Sequence, residues 1–171
     1  MGRIAALAIA VLCAANGRSV QAHPLADTVL IDQRGATFTL RDLRGKPAVV
    51  TFIATRCTDT CPIVDAVFAQ LARRHEKTQL VTITLDPQYD TPFVLSRYAR
   101  ALQARAPQWR MASGTPSDVR TFVNAFGITH SGVDEHSAAI YLIDARGRLT
   151  RILPVSTASV NDIHGWLAAR T

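Results

Sequence analysis

The chain has 171 residues, 48% hydrophobic and 19% charged, which fits one soluble domain with enough chain to bury a core. Its net charge of +6 comes from scattered Lys and Arg residues with no basic run of five, few aromatics (6%) and no nucleic-acid motif. That pattern argues against nucleic-acid binding and for a basic soluble protein able to meet an acidic partner or a membrane surface.

Met1-Gly2-Arg3 supplies a positive charge, and the run from Ile4 to Ala15 is then almost entirely apolar. It is 12 residues long, against roughly 20 needed to span a bilayer. Arg18 and polar residues follow, and Val20-Gln21-Ala22 is a small-x-small cleavage pattern. Residues 1–22 therefore read as a secretory signal peptide cleaved after Ala22, leaving one domain over 23–171 with no stable membrane span. An uncleaved membrane anchor and a lipoprotein are the alternatives. Cys13 follows Leu12 rather than the small residue that lipidation requires. Cleavage removes Arg3 and Arg18 and no acid, so the charge falls to about +4. The expected destination is the periplasm or another exported, disulfide-permissive compartment.

His23 to Asp27 is a short leader, and Thr28 to Asp32 with Thr37 to Leu40 predicts a β-hairpin around Gln33-Arg34-Gly35. Asp42 to Pro47 reads as loop. Ala48 to Ala54 is a continuous apolar and β-branched run, the pattern of a strand covered on both faces. After Thr55-Arg56-Cys57-Thr58-Asp59-Thr60-Cys61-Pro62, apolar residues at Ile63, Val64, Val67, Phe68 and Leu71 mark one face of a helix. Pro62 suits its first turn, and Arg73, Arg74 and Lys77 suit its negative end. Gln79 to Leu85 is a second buried strand, completing a parallel βαβ unit. The loop Asp86 to Pro92 then lies at the carboxyl edge of the sheet, where sites gather in open α/β folds.

Thr91-Pro92 and Thr115-Pro116 each predict a capped helix. In the first, Phe93, Leu95, Tyr98, Ala99 and Leu102 carry the helix toward Arg105; the second, with Asp118 in capping-box position, buries Val119, Phe122, Val123 and Phe126 and stops at Gly127. Trp109 to Ala112 reads as a short strand between them. A polar loop, Ile128 to Glu135, leads to an antiparallel pair, Ala138 to Ile143 and Leu149 to Leu153, turning at Asp144-Ala145-Arg146-Gly147. A final helix has Val160, Ile163 and Leu167 on one face. A parallel βαβ half joined to an antiparallel half predicts an α/β, thioredoxin-like domain: a central mixed sheet flanked by helices, with an N-terminal β-hairpin. Another doubly wound α/β fold is the alternative.

Cys57 and Cys61 concentrate the chemistry at one strand-to-helix turn. As a structural disulfide the pair would close a very short loop, worth only about 2 kcal/mol in chain entropy against roughly 4.7 for a hundred-residue loop. Cys61, at the helix start, is expected to be the thiol activated by the helix N-terminus, with Arg56 adding positive charge nearby. Spacing alone leaves redox and metal chemistry both open: three residues intervene where common dithiol oxidoreductases have two. Two thiolates are soft ligands that suit Cu(I) or Zn(II). Among five histidines, His23, His75 and His164 read as surface residues and His130 as a loop residue; His136 immediately precedes the strand Ala138 to Ile143.

The whole pattern resembles the Sco/SenC family, exported thioredoxin-like proteins involved in assembling the copper centre of cytochrome c oxidase. The resemblance covers nearly all of residues 38–153. It includes Thr51-Phe52-Ile53-Ala54-Thr55-Arg56-Cys57 through Cys61-Pro62, Thr82-Ile83-Thr84-Leu85-Asp86-Pro87 with Asp90-Thr91-Pro92, Ala125-Phe126-Gly127-Ile128, and His136-Ser137 leading into Tyr141-Leu142-Ile143-Asp144. It implies Cys57, Cys61 and His136 as ligands for copper, as Cu(I) or Cu(II), and a redox-active Cys57–Cys61 pair. Asp86 and Asp90 match the family's loop positions, as supports of the site or contacts for a partner; turn capping is the other reading for Asp90. Many members keep an uncleaved membrane anchor, from which this N-terminus departs.

Two functions follow. One is a copper metallochaperone that passes copper to the copper-accepting subunit of cytochrome c oxidase or to another copper chaperone. The other is a thiol–disulfide oxidoreductase that reduces cysteines of a copper-accepting protein. A peroxidase-like thiol enzyme fits less well, since no isolated peroxidatic cysteine environment is seen. Cleavage after Ala22 would also leave His23 as an N-terminal residue able to chelate Cu(II).

Overall fold

The structure, a computed structural model, describes residues 28–75, 78–128, 138–155, 158 and 160–170. The segment expected to be a signal peptide, with its expected cleavage site, and Cys13, His23, His130 and His136 lie outside these residues.

One strand organises the sheet. β3 (Ala48–Ile53) is buried at every position. It pairs in parallel with β4 (Gln79–Thr84), Val50 opposite Val81, and antiparallel with β6 (Ala139–Ile143), Val50 opposite Tyr141. On the β4 side, β5 (Trp109–Ser113) adds in parallel. On the other side, β7 (Leu149–Pro154) adds antiparallel to β6. The N-terminal hairpin, β1 (Leu30–Asp32) and β2 (Thr37–Phe38), extends the sheet by pairing β1 antiparallel to β5. The order is β2-β1-β5-β4-β3-β6-β7. This is the mixed, thioredoxin-like sheet that the alternation of strands and helices predicts.

Alternation along β3 divides the core. Val49 and Ile53 pack on one face with Val64, Phe68 and Leu71 of α1 (Cys61–Arg74), Leu95 and Ala99 of α2 (Pro92–Ala101), and Ile163, Trp166 and Leu167 of α4 (Val160–Ala168). Ala48, Val50 and Phe52 face the other way, onto Val119, Phe122 and Val123 of α3 (Pro116–Ala125) and onto Leu40 and Leu43 of a 3-10 turn. A strand whose successive side chains alternate between two covered faces is apolar or, as at Thr51, has its one hydroxyl hydrogen-bonded. Each fully buried Leu, Val or Phe contributes about 1.5–3 kcal/mol of transfer free energy.

Two readings of α2 are corrected. Phe93 is 70% exposed: it lies two residues from the buried Leu95, about 200° away round the helix. α2 also ends at Ala101, short of Arg105. Trp166, unassigned by the sequence pattern, shares the inner face of α4 with Ile163 and Leu167. The two Thr-Pro helix starts are as expected. Thr91 Oγ1 accepts from the Val94 N–H at 3.4 Å, and Thr115 Oγ1 accepts from the Asp118 N–H at 3.1 Å while donating to its carboxylate at 2.6 Å. Gly127 has φ +67°, the left-handed conformation suited to glycine beyond a helix end.

Candidate metal and redox site

The cysteine turn begins where β3 leaves the sheet. Cys57 N–H donates to Ala54 O at 3.0 Å, and Ile63 and Val64 N–H donate to Thr60 O at 3.1 and 3.2 Å, so α1 starts directly under the turn. Cys61 is the first residue of α1 and Pro62 occupies the first turn, where its missing N–H leaves no helical bond unmade. The two thiols are neighbours with unequal surroundings: Cys57 is half-buried, whereas Cys61 is 1% exposed.

Burial pushes the Cys57 thiol up, but hydrogen bonds from the Cys61 thiol and from the N–H groups of Cys61, Asp59 and Thr60 outweigh it and hold it below its ordinary value. Burial pushes Cys61 up to about 12, reinforced by its bond to Cys57 and opposed by a backbone hydrogen bond at Ala54. The helix N-terminus therefore activates Cys57, not Cys61. The N–H groups involved belong to the turn, at Asp59 and Thr60, and to the first helical residue, Cys61, whose own side chain faces the core. Arg56 does not act on the thiols as its sequence position suggests. Its guanidinium pairs with Asp86 at 2.6 Å and lies 4.2 Å from the centre of the Tyr89 ring.

The carboxyl-edge loop clamps the turn in place. Asp90 is fully buried and accepts from Thr55 N–H at 3.0 Å, from the Thr55 hydroxyl, and from the Thr84 hydroxyl at 2.6 Å. One carboxylate thus ties Thr55, two residues beyond β3, to the last residue of β4. The backbone of Asp90 closes its own turn, donating to Asp86 O at 2.8 Å, but its side chain reaches across to the cysteine segment, beyond simple turn capping.

Sequence reasoning missed a second buried acid. Asp65, one helical turn after Cys61, is 4% exposed; its Oδ2 accepts from the Tyr98 hydroxyl and its Oδ1 has no hydrogen-bond partner among the described residues. Burial raises its pKa to about 6, only partly opposed by the Tyr98 bond. An acid four residues after Cys61 and three before Phe68, on an apolar helical face, was the available signal.

The third expected ligand, His136, lies outside the described residues. Among the described residues, no group of three or more His, Cys, Asp or Glu side chains is arranged to hold a metal ion. What is described is the entry to β6, where Ala139 O accepts from the Thr51 hydroxyl at 3.0 Å. The antiparallel pairing starts β6 beside the end of β3 that feeds the cysteine turn. His75 and His164, expected to be separate surface residues, instead touch each other: His164 Nδ1 is 2.8 Å from His75 Nε2.

Residues 19–168 match the sequence model of the SCO1/SenC family. The chain belongs to the SCO1/SenC family. A SCO2-like protein from Rickettsia felis is 29% identical over 136 residues, covering 71% of this chain and 65% of the relative. The chain thus spans a little under two thirds of the length of such curated relatives. Among solved structures, copper-bound ScoI of Bradyrhizobium japonicum superposes with a TM-score of 0.68 at 24% identity, covering 85% of this chain and 98% of ScoI. BsSco, described as a cytochrome c oxidase assembly protein with a disulfide switch, gives a TM-score of 0.74 at 17% identity, covering 88% and 94%. At these identities the structures establish the shared fold. No described helix of this SCO1/SenC protein is long and apolar enough to cross a membrane.

Proposed function

We propose that this SCO1/SenC protein is an exported copper carrier that takes copper on Cys57 and Cys61 and passes it to an acceptor in cytochrome c oxidase assembly. The observation that carries the reading is the pair itself: two free thiols on one strand-to-helix turn, Cys61 buried as the first residue of α1 and Cys57 half-buried just before it. Two sulfurs on one turn make a soft, two-point site for Cu(I). The copper-bound and assembly-factor relatives support copper as the cargo. His136 is proposed as the third ligand, supported by the entry of β6 beside the end of β3. Residues 1–22 are proposed as the signal peptide that exports the domain. Exposed Ile63, Tyr89 and Phe93, from α1, the carboxyl-edge loop and the start of α2, are proposed contacts for the acceptor protein.

The test is copper binding by the reduced chain. One Cu(I) per chain is expected, lost on Cys61→Ser and weakened on His136→Ala. Undiminished Cu(I) affinity in Cys61→Ser would sink the reading.

The unequal thiols favour a second reading at the same site, thiol–disulfide exchange. Cys57, half-buried and lowered, is the attacking thiolate; Cys61, buried and raised, is the resolving thiol. Cys57 attacks a partner disulfide and forms a mixed disulfide. Cys61 then attacks Cys57 Sγ, releasing the partner as a dithiol and leaving a Cys57–Cys61 disulfide. Metal-free reduced protein is expected to reduce a cysteine pair in a peptide substrate. Inertness toward such disulfides would limit the protein to copper carriage.

A further inference from the structure

We propose that His75 and His164 form a second metal site, a two-imidazole site for a borderline divalent cation, at the end of α1 remote from the cysteines. The pair joins residues 89 apart in sequence, one just beyond α1 and one in α4. The facing nitrogens are 2.8 Å apart, with ring centroids at 4.7 Å and ring planes inclined by 37°. Two imidazole nitrogens bound to one ion at 2.0–2.1 Å stand roughly 2.9–3.3 Å apart for angles between square and tetrahedral. Opening the pair by a few tenths of an ångström therefore admits an ion.

The scaffold fixes the backbone at both residues. His75 N–H donates to Leu71 O at 2.9 Å, and His75 O accepts from Gln108 Nε2 at 3.1 Å. α4 is anchored by buried Ile163, Trp166 and Leu167, which leaves His164 exposed beside His75. Water can thus complete the coordination shell. Burial first, then the neighbouring His164 and Arg74, lower the His75 pKa, which keeps its ring neutral and its lone pair free. The carbonyl end of the α1 dipole favours a cation there. Arg73 and Arg74 oppose it, but both are exposed and screened by solvent. Imidazole suits Zn(II), Ni(II) and Cu(II) among first-row ions, whereas the cysteine pair suits Cu(I). The second site is thus chemically distinct from the first and stands whether or not the cysteines carry copper.

The probe is Zn(II), titrated calorimetrically into the full chain carrying Cys57→Ser and Cys61→Ser, and compared with the same chain carrying His75→Gln or His164→Gln. Binding of one Zn(II) is expected, with a rise in melting temperature because the ion ties α1 to α4. Each histidine substitution is expected to weaken binding at least tenfold and to abolish the rise, without lowering the metal-free melting temperature. The proposal is overturned if no Zn(II) binds at millimolar concentration, which would leave a hydrogen-bonded pair only. It is equally overturned if either variant binds as the parent does.

Discussion

At the N-terminal end of α1, Cys57 and Cys61 share the turn that leads into the helix; at the C-terminal end, His75 meets His164 beside the last carbonyls. The two ends lie about 21 Å apart at 1.5 Å per residue. Each pair matches the sign of the dipole beneath it. The positive end favours a sulfur that binds as an anion, and the negative end favours a cation held by neutral rings. The surroundings differ more than the helix does. The cysteine turn is clamped by Asp90 to β4 and by Asp86 to Arg56, while the histidines rest on packing between two helices. A soft, tightly framed site and an open, borderline one thus share a single element.

The comparison breaks most visibly at copper. Cys61→Ser is expected to lower Cu(I) affinity at least a hundredfold, a loss of about 2.7 kcal/mol or more; His164→Gln is expected to leave it unchanged. Competition with a Cu(I) chelator measures both, and equal losses would merge the two ends into one site.

Removing the clamp should act on stability. Asp90→Ala strands the Thr55 N–H and the Thr84 hydroxyl without their acceptor, at about 1–3 kcal/mol for each buried group. Urea denaturation should give a loss of about 3–5 kcal/mol, and a loss below 1 kcal/mol would show that the turn holds its shape unaided. Arg56→Ala, which removes an exposed partner of Asp86 and of the Tyr89 ring, should shift the unfolding midpoint far less than Asp90→Ala.

Asp65 gives the cysteine end a pH signature. Its pKa is about 6 folded against 3.8 unfolded, so the folded state holds the proton more tightly. The resulting stability is fully present below pH 3.8 and is lost as pH rises through about 6, on the order of 2–3 kcal/mol. Unfolding free energies across that window should show the fall, and Asp65→Asn should flatten it. An unchanged slope in that variant would assign the pH dependence to other groups. The smallest expected effect is one of selectivity: in the reduced metal-free protein, iodoacetamide should modify Cys57 before Cys61. Mass mapping that finds Cys61 alkylated first would reverse the roles of the two thiols.

Most of this architecture is legible in the sequence because its signals are local. The apolar and β-branched Ala48–Ile53 run, Pro62 in the first helical turn, and the Thr-Pro caps at 91–92 and 115–116 each express a backbone requirement within a few residues. The cysteine pair was legible for the same reason. Which cysteine is activated was not, because it depends on how the turn folds back over three N–H groups rather than on nearness to the helix in sequence. The Asp90 clamp spans 35 residues and the His75–His164 contact 89, distances at which sequence pattern carries no register. Arg56 is a neighbour of the thiols in sequence, but Asp86 holds its guanidinium.

The central claim is that Cys57 and Cys61 hold the copper, with His136 completing the site. X-ray absorption at the copper edge of the reduced, Cu(I)-loaded chain tests it most directly. The account predicts a three-coordinate ion with two sulfur ligands and one nitrogen, the nitrogen disappearing in His136→Ala and both sulfurs surviving in His75→Gln. A copper ion without sulfur ligands, or one still bound by two sulfurs in Cys61→Ser, would contradict it.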